Sequence, residues 1–162
     1  MRIGVVGDTH AYYFEDIPEA IISHLKDTDL VVHLGDFTNK NILDGFKELF
    51  GERFKAVAGN TDLPELKKIL PRKLVIEEKG KRIGAIHPYW GGPPEGIEER
   101  IRKEFENTDV ILYAHTHKPC VKEIDGVLFV NPGQGYKLYT VKASIAILEV
   151  GERVRGEIIF ID

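Results

Sequence analysis

At 162 residues the chain has the length of one domain, with room for a packed core. Its 43% hydrophobic and 30% charged residues exclude a disordered chain. A net charge of -4 leaves no basic footprint, so no large nucleic-acid groove is expected.

A lone cysteine, Cys120, rules out an internal disulfide and fits a reducing compartment. The apolar start is too short for a signal peptide, and no segment is long and apolar enough to span a bilayer. A cytoplasmic protein without membrane contact is the expectation. One Met, one Cys and one Gln amid many Lys, Glu and Ile lean towards a thermophile.

In chain order, Ile3–Val6 reads as a short strand ended by Gly7 and followed by Asp8-Thr9-His10. Pro18 opens a helix whose apolar face is Ala20, Ile21, Ile22 and Leu25. A buried strand, Leu30–Leu34, then ends in Gly35-Asp36, and Lys40–Leu49 is a helix facing inward through Ile42, Leu43, Phe46 and Leu49. Phe54–Ala58 is a third strand, ending in Gly59-Asn60-Thr61-Asp62. One grammar is used three times: strand, turn, then a carboxylate or amide. Strands alternating with helices predict a largely parallel arrangement, with the site at the strands' carboxyl ends.

Beyond residue 70 the texture becomes strand-rich. Lys73–Glu78 and Lys81–His87 form a hairpin about Lys79-Gly80, and Ile97–Phe105 is a helix with Ile101 and Phe105 inward. Val110–Ala114 is a buried strand leading into His115-Thr116-His117. Val121–Ile124 and Val127–Val130 pair across Asp125-Gly126, and Ser144–Val150 with Arg153–Ile161 make the last pair. Two packed sheets with helices outside is the economical architecture.

The polar residues at these strand ends are Asp8, His10, Asp36, Asn60, His87, His115 and His117. Carboxylate, amide and imidazole ligands together suit divalent transition metals such as Mn, Fe, Zn, Ni or Co. Seven ligands exceed one site's needs. A shared carboxylate would let them hold two ions roughly 3.5–4 Å apart, the separation used in two-metal hydrolysis.

Asp8-Thr9-His10, Gly35-Asp36, Gly59-Asn60-Thr61-Asp62, His87 and Ala114-His115-Thr116-His117 resemble, in order, the motifs of calcineurin-like metallophosphoesterases. The similarity is closest to the small single-domain prokaryotic phosphodiesterases of that superfamily. It implies one α/β domain over residues 1–162, a four-layer α/β/β/α sandwich of two mixed sheets. It further implies that Asp8, His10 and His117 hold one metal, that Asn60, His87 and His115 hold the second, and that Asp36 bridges them. Asp36, Asn60 and His115 are then the catalytic members, manganese is the ion of choice in vitro, and a hydroxide shared by the metals attacks the phosphorus of a small phosphorylated substrate.

Departures from the family pattern refine this expectation. Thr61 stands where many relatives carry a histidine that protonates the leaving group, and its hydroxyl is a far poorer acid. That favours good leaving groups, and diesters over monoesters. Pro88 follows His87 in place of glycine, Ala114 replaces the glycine before the histidine pair, and Gln134 stands where relatives carry serine. Two rivals remain: a non-catalytic binding scaffold like the similar retromer subunit, and a monoesterase or phosphoprotein phosphatase. Intact ligand blocks oppose the first; the short chain and Thr61 oppose the second.

Other residues admit two readings each. Asp62 orients Asn60 or a histidine, or else caps the helix near Pro64. Tyr89-Trp90 is a substrate-facing loop or a packed turn. Tyr12-Tyr13-Phe14 is a cleft wall, or an interface that would make a homo-oligomer. His33 reads as a structural histidine with a buried hydrogen bond, His24 as a surface residue and Cys120 as a small buried one.

Overall fold

In a computed structural model describing residues 1–162, ten strands and four α-helices make up the chain, alternating as far as β4 and strand-rich beyond it. They are β1 (Arg2–Val6), α1 (Glu19–Lys26), β2 (Leu30–His33), α2 (Lys40–Phe50), β3 (Phe54–Ala56), α3 (Pro64–Ile69) and β4 (Lys73–Glu78). Then follow β5 (Lys81–Ile86), α4 (Ile97–Arg102), β6 (Val110–Tyr113), β7 (Cys120–Ile124), β8 (Val127–Asn131), β9 (Ala143–Val150) and β10 (Val154–Ile161).

The strands divide into two mixed sheets of five, ordered β10-β9-β1-β2-β3 and β4-β5-β6-β8-β7. β1, β2 and β3 are parallel, with β9 and β10 added antiparallel at one side. The second sheet also has three parallel strands, β5, β6 and β8, but its antiparallel strands β4 and β7 lie one at each edge.

Side chains on a strand alternate between its two faces, so each buried strand feeds two layers. Leu30 and Val32 of β2 pack with Val110 and Leu112 of β6 in the apolar cluster between the sheets. Val31 faces the other way, joining Ile21 and Leu25 of α1 and Ile42, Leu43, Phe46 and Phe50 of α2. Ile111 and Tyr113 of β6 face outward to Ile97 and Ile101 of α4. Three apolar interfaces imply four layers, and the α/β/β/α sandwich follows from the alternation.

Several boundaries differ from the sequence expectation. β2 and β3 end one and two residues before the expected Leu34 and Ala58, because backbone hydrogen bonding passes from ladder to loop there, whereas β1 ends at Val6 as expected. On α1, Ala20 is exposed and Ile22 only half-buried, so Ile21 and Leu25 carry the face. Phe50, not Leu49, completes the inward face of α2, where its ring stacks on Phe46 at 6.0 Å. The helix predicted to Phe105 stops at Arg102, whose guanidinium donates to the carbonyls of Ile124 and Asp125. Phe105 still turns inward, filling the space over Gly84 where a Cβ would meet its ring at 2.8 Å. No helix is long and apolar enough to cross a membrane.

Candidate metal centre

All seven predicted ligands lie in loops just past the carboxyl ends of parallel strands: Asp8 and His10 after β1, Asp36 after β2, Asn60 after β3, His87 after β5, and His115 and His117 after β6. The edge-to-edge meeting of these strand ends across the two sheets makes one cluster from residues scattered over the chain.

Five of the seven sit in left-handed backbone: Asp8 at φ 49°, His10 at 43°, Asp36 at 59°, His115 at 84° and His117 at 61°. Such conformations cost about 1–3 kcal/mol each for non-glycine residues and persist where surroundings over-determine them. Here the surroundings are hydrogen bonds between loops. The Asp8 amide donates to Gly35 O at 3.0 Å, the His10 amide to Asp36 O at 3.2 Å, and the His115 amide to Asp8 Oδ2 at 3.2 Å. Ala114 is absent from the left-handed set, so replacing glycine there carries no backbone penalty.

Asp62 has neither of the roles expected of it. Its carboxylate accepts four backbone amides, Gly59 at 2.7 Å and Asp36 at 2.9 Å on Oδ2, Phe37 at 2.7 Å and Thr38 at 3.2 Å on Oδ1. The third motif is thereby tied to the second. Burial pushes the Asp62 carboxyl above its ordinary value, while the amide donors pull the other way. Gly59 packs so close to the Asp36 side chain that a Cβ there would collide with Asp36 Oδ1.

Asp36 Oδ2 lies 3.6 Å from His10 Nε2 and 3.5 Å from His87 Nε2. Asp8 is more central than the resemblance implies: its Oδ1 is 4.0, 3.9 and 3.5 Å from nitrogens of His10, His87 and His117. Burial pushes the Asp8 carboxyl up, but His117 and the charges of His87 and His10 outweigh that and hold it below its ordinary value. Pairing with Asp8 in turn raises the His117 imidazole above its own.

One observation tests whether a cation fits. Asp8 Oδ1 and His10 Nε2 are buried without any hydrogen-bond partner. His87 Nδ1 contacts Leu34 O at 2.8 Å, and its Nε2 lies 2.7 Å from the Asn60 side-chain amide. A divalent cation would give the two orphaned atoms the partner that buried polar atoms require. Ligand atoms of Asp8, His10 and His117, and again of Asp8, Asp36 and His87, lie within 4.8 Å of one another. The carboxylate, imidazole and amide donors support divalent metal binding.

His115 stands beside His87, ring centroids 5.6 Å apart, and its Nε2 donates to Gly92 O at 3.2 Å. In a neutral ring that leaves the Nδ1 lone pair for a cation. Thr61 is exposed and donates its amide to Asp36 Oδ1 at 3.0 Å. The Tyr89 ring lies under the Arg72 guanidinium at 4.8 Å, its hydroxyl donates to Glu104, and Trp90 meets it edge-on at 5.0 Å. Tyr12 and Tyr13 are 68% and 58% exposed, whereas Phe14 packs edge-on against Phe46 and so leaves the proposed aromatic wall. Cys120 is half-buried, 3.1 Å from the Tyr113 hydroxyl.

Sequence reasoning missed Tyr136. Its ring meets His10 at 5.4 Å and His117 at 6.1 Å, because the Gly135 amide donates to the carbonyls of Gly7 and Asp8. The glycines on either side of Gln134, Gly133 and Gly135, are the one local signal of a close backbone approach, and nothing local points to Tyr136.

A two-sheet sandwich with such a cluster at its strand ends defines a protein built to hold divalent metal between loops. The calcineurin-like phosphoesterase superfamily domain matches residues 1–153, and the chain belongs to that superfamily. A probable metallophosphoesterase of Methanocaldococcus jannaschii is 34% identical over all of this chain and 82% of its own length. A phosphodiesterase of the same organism is 29% identical, over 98% of this chain and 99% of its own. A solved structure described as a novel archaeal phosphodiesterase superposes with a TM-score of 0.74 at 27% identity, covering 98% of this chain and 100% of its own. Family, relatives and candidate site support a metal-dependent phosphoesterase.

Proposed function

We propose that the protein hydrolyses phosphodiesters with two divalent metal ions, held as two sets that share Asp36. The carrying observation is the placement of Asp36 Oδ2, 3.6 Å from His10 Nε2 and 3.5 Å from His87 Nε2. Those histidines come from different sheets and, in the family pattern, from different ligand sets. His10 and His117 with Asp8 make up one set; Asn60, His87 and His115 make up the other. Ions bound there supply Lewis-acid charge against a phosphoryl group and lower the pKa of water.

The chain's own groups do the rest. The Leu34 carbonyl holds the His87 tautomer, the His115 amide holds the Asp8 carboxylate, and Asp62 keeps the second and third motifs in register. Nothing at Thr61 can protonate a leaving group near neutral pH, which supports diesters with good leaving groups as substrates.

Protein stripped of metal should be inactive on an aryl phosphodiester and recover with Mn2+. Asp36→Asn should lower turnover by at least 100-fold without unfolding the protein. Full turnover in that variant, or activity that survives chelation, would refute the two-metal reading. A panel of phosphomonoesters, phosphodiesters and cyclic nucleotides decides the substrate class, and faster monoester hydrolysis would overturn the diester assignment.

A further inference from the structure

Thr9 lies between two candidate ligands, yet its side chain points away from the cluster. It is buried, and its hydroxyl meets Nε2 of His33 at 3.2 Å. His33 belongs to the other loop's strand, β2, and is itself fully buried. Its second nitrogen, Nδ1, accepts the Gly35 amide at 3.0 Å. That bond assigns the tautomer. With a lone pair committed on Nδ1, the neutral ring carries its proton on Nε2 and donates it to Thr9.

The ring has little freedom to turn. It stacks on Phe37 with centroids 3.7 Å apart and an interplanar angle of 16°, and meets Phe46 edge-on at 5.1 Å. One imidazole is therefore bonded to both metal-facing loops, through Thr9 on the first and Gly35 on the second. Each side of that tie holds left-handed residues, Asp8 and His10 flanking Thr9 and Asp36 following Gly35. A second tie matters because such backbone relaxes when its restraints are lost.

We infer that His33 and Thr9 form a positioning pair, which holds the Asp8-Thr9-His10 loop against the Gly35-Asp36 loop so that their side chains converge on metal. The inference rests on the proposed metal site. His33 is no ligand, since both its nitrogens are occupied. Its role is exerted through Thr9 and Gly35 on the backbone that aims Asp8, His10 and Asp36.

The test is Mn2+ binding to the full chain after chelator treatment, followed by electron paramagnetic resonance titration. Thr9→Val keeps the shape and removes the hydroxyl; Thr9→Ser keeps the hydroxyl. His33→Asn keeps an acceptor where Nδ1 lies and loses the donor to Thr9. Loss of an orienting partner of this kind typically weakens metal binding about 10–100-fold. Thr9→Val and His33→Asn should each show such a loss, Thr9→Ser should bind like wild type, and the double variant should be no worse than the weaker single. Nitrogen-15 spectra of wild-type protein should place the His33 proton on Nε2 at neutral pH. Affinity within threefold of wild type in Thr9→Val, additive losses in the double variant, or a proton on Nδ1 would each overturn the pair. Wild-type protein that takes up no Mn2+ would sink the proposed function as well, a result separable from equal binding by wild type and variants.

Discussion

Asp8 Oδ2 accepts the backbone N–H of His115 at 3.2 Å, joining the end of β1 to the end of β6 across 107 positions of chain. The other oxygen, Oδ1, is buried with no hydrogen-bond partner among the imidazoles of His10, His87 and His117. One half of the carboxylate builds the fold and the other half, unpaired, is the half assigned to the proposed cation.

Replacing Asp8 separates those halves. Asp8→Asn retains an oxygen for the His115 amide, so metal-free protein should melt within a few degrees of wild type while Mn2+ affinity falls at least 100-fold. Asp8→Ala also strands the half-buried His115 N–H, at a cost of about 1 kcal/mol, and should melt lower still. Calorimetry on chelated protein checks both. Equal melting of the two variants would mean that the His115 bond contributes nothing.

Asp62→Ala should be among the most destabilising single changes near the site. It leaves the amides of Gly59, Asp36, Phe37 and Thr38 without their acceptor. Hydrogen bonds to a charged group contribute about 1.5–3 kcal/mol each, and partial relaxation should leave a net loss of about 3–5 kcal/mol. Urea unfolding measures it. A loss below about 1 kcal/mol would show that the loops stay paired without the carboxylate.

Stability of the metal-free protein should depend on pH through two histidines of opposite sign. Burial depresses the His33 imidazole from 6.5 to about 3. Below pH 6.5 the unfolded chain takes a proton that the folded chain refuses, so this contribution is present above 6.5 and shrinks as pH falls towards 3. The slope approaches about 1.4 kcal/mol per pH unit. His117 is raised by Asp8, so its contribution is full below 6.5 and lost as pH rises through the raised value. His33→Asn should flatten the acid limb, and His117→Ala the neutral one. Urea unfolding from pH 4 to 8 under chelator tests this; curves parallel to wild type would refute it.

Thr61→His should raise turnover on diesters with poor leaving groups and change little for aryl leaving groups. Thr61 is exposed, and its contact with Asp36 is made by its backbone amide, which any residue retains. The measurement is the dependence of rate on leaving-group pKa, which should become shallower. An unchanged slope would remove the missing acid as the reason for diester preference.

Much of this was local and therefore readable in the chain. A strand's alternation and a helix's repeat depend on neighbouring residues, so both sheets, the hairpins at Lys79-Gly80 and Asp125-Gly126, and most of the α2 face were legible, while α1 buries only Ile21 and Leu25 of its expected face and ends such as Phe50 and Arg102 differ. The ordered motifs marked the superfamily because chemistry at strand ends needs those residue types at those places. Convergence was not local. Asp62 gathering four amides from two loops and His33 reaching Thr9 depend on which strands lie side by side in one sheet, while Asp8 meeting the His115 amide and Tyr136 lying against both His10 and His117 depend on how two sheets pack. No spacing along the chain encodes those approaches. They arise because burial of three apolar layers fixes where the parallel strands end, and only there do residues far apart in sequence become neighbours.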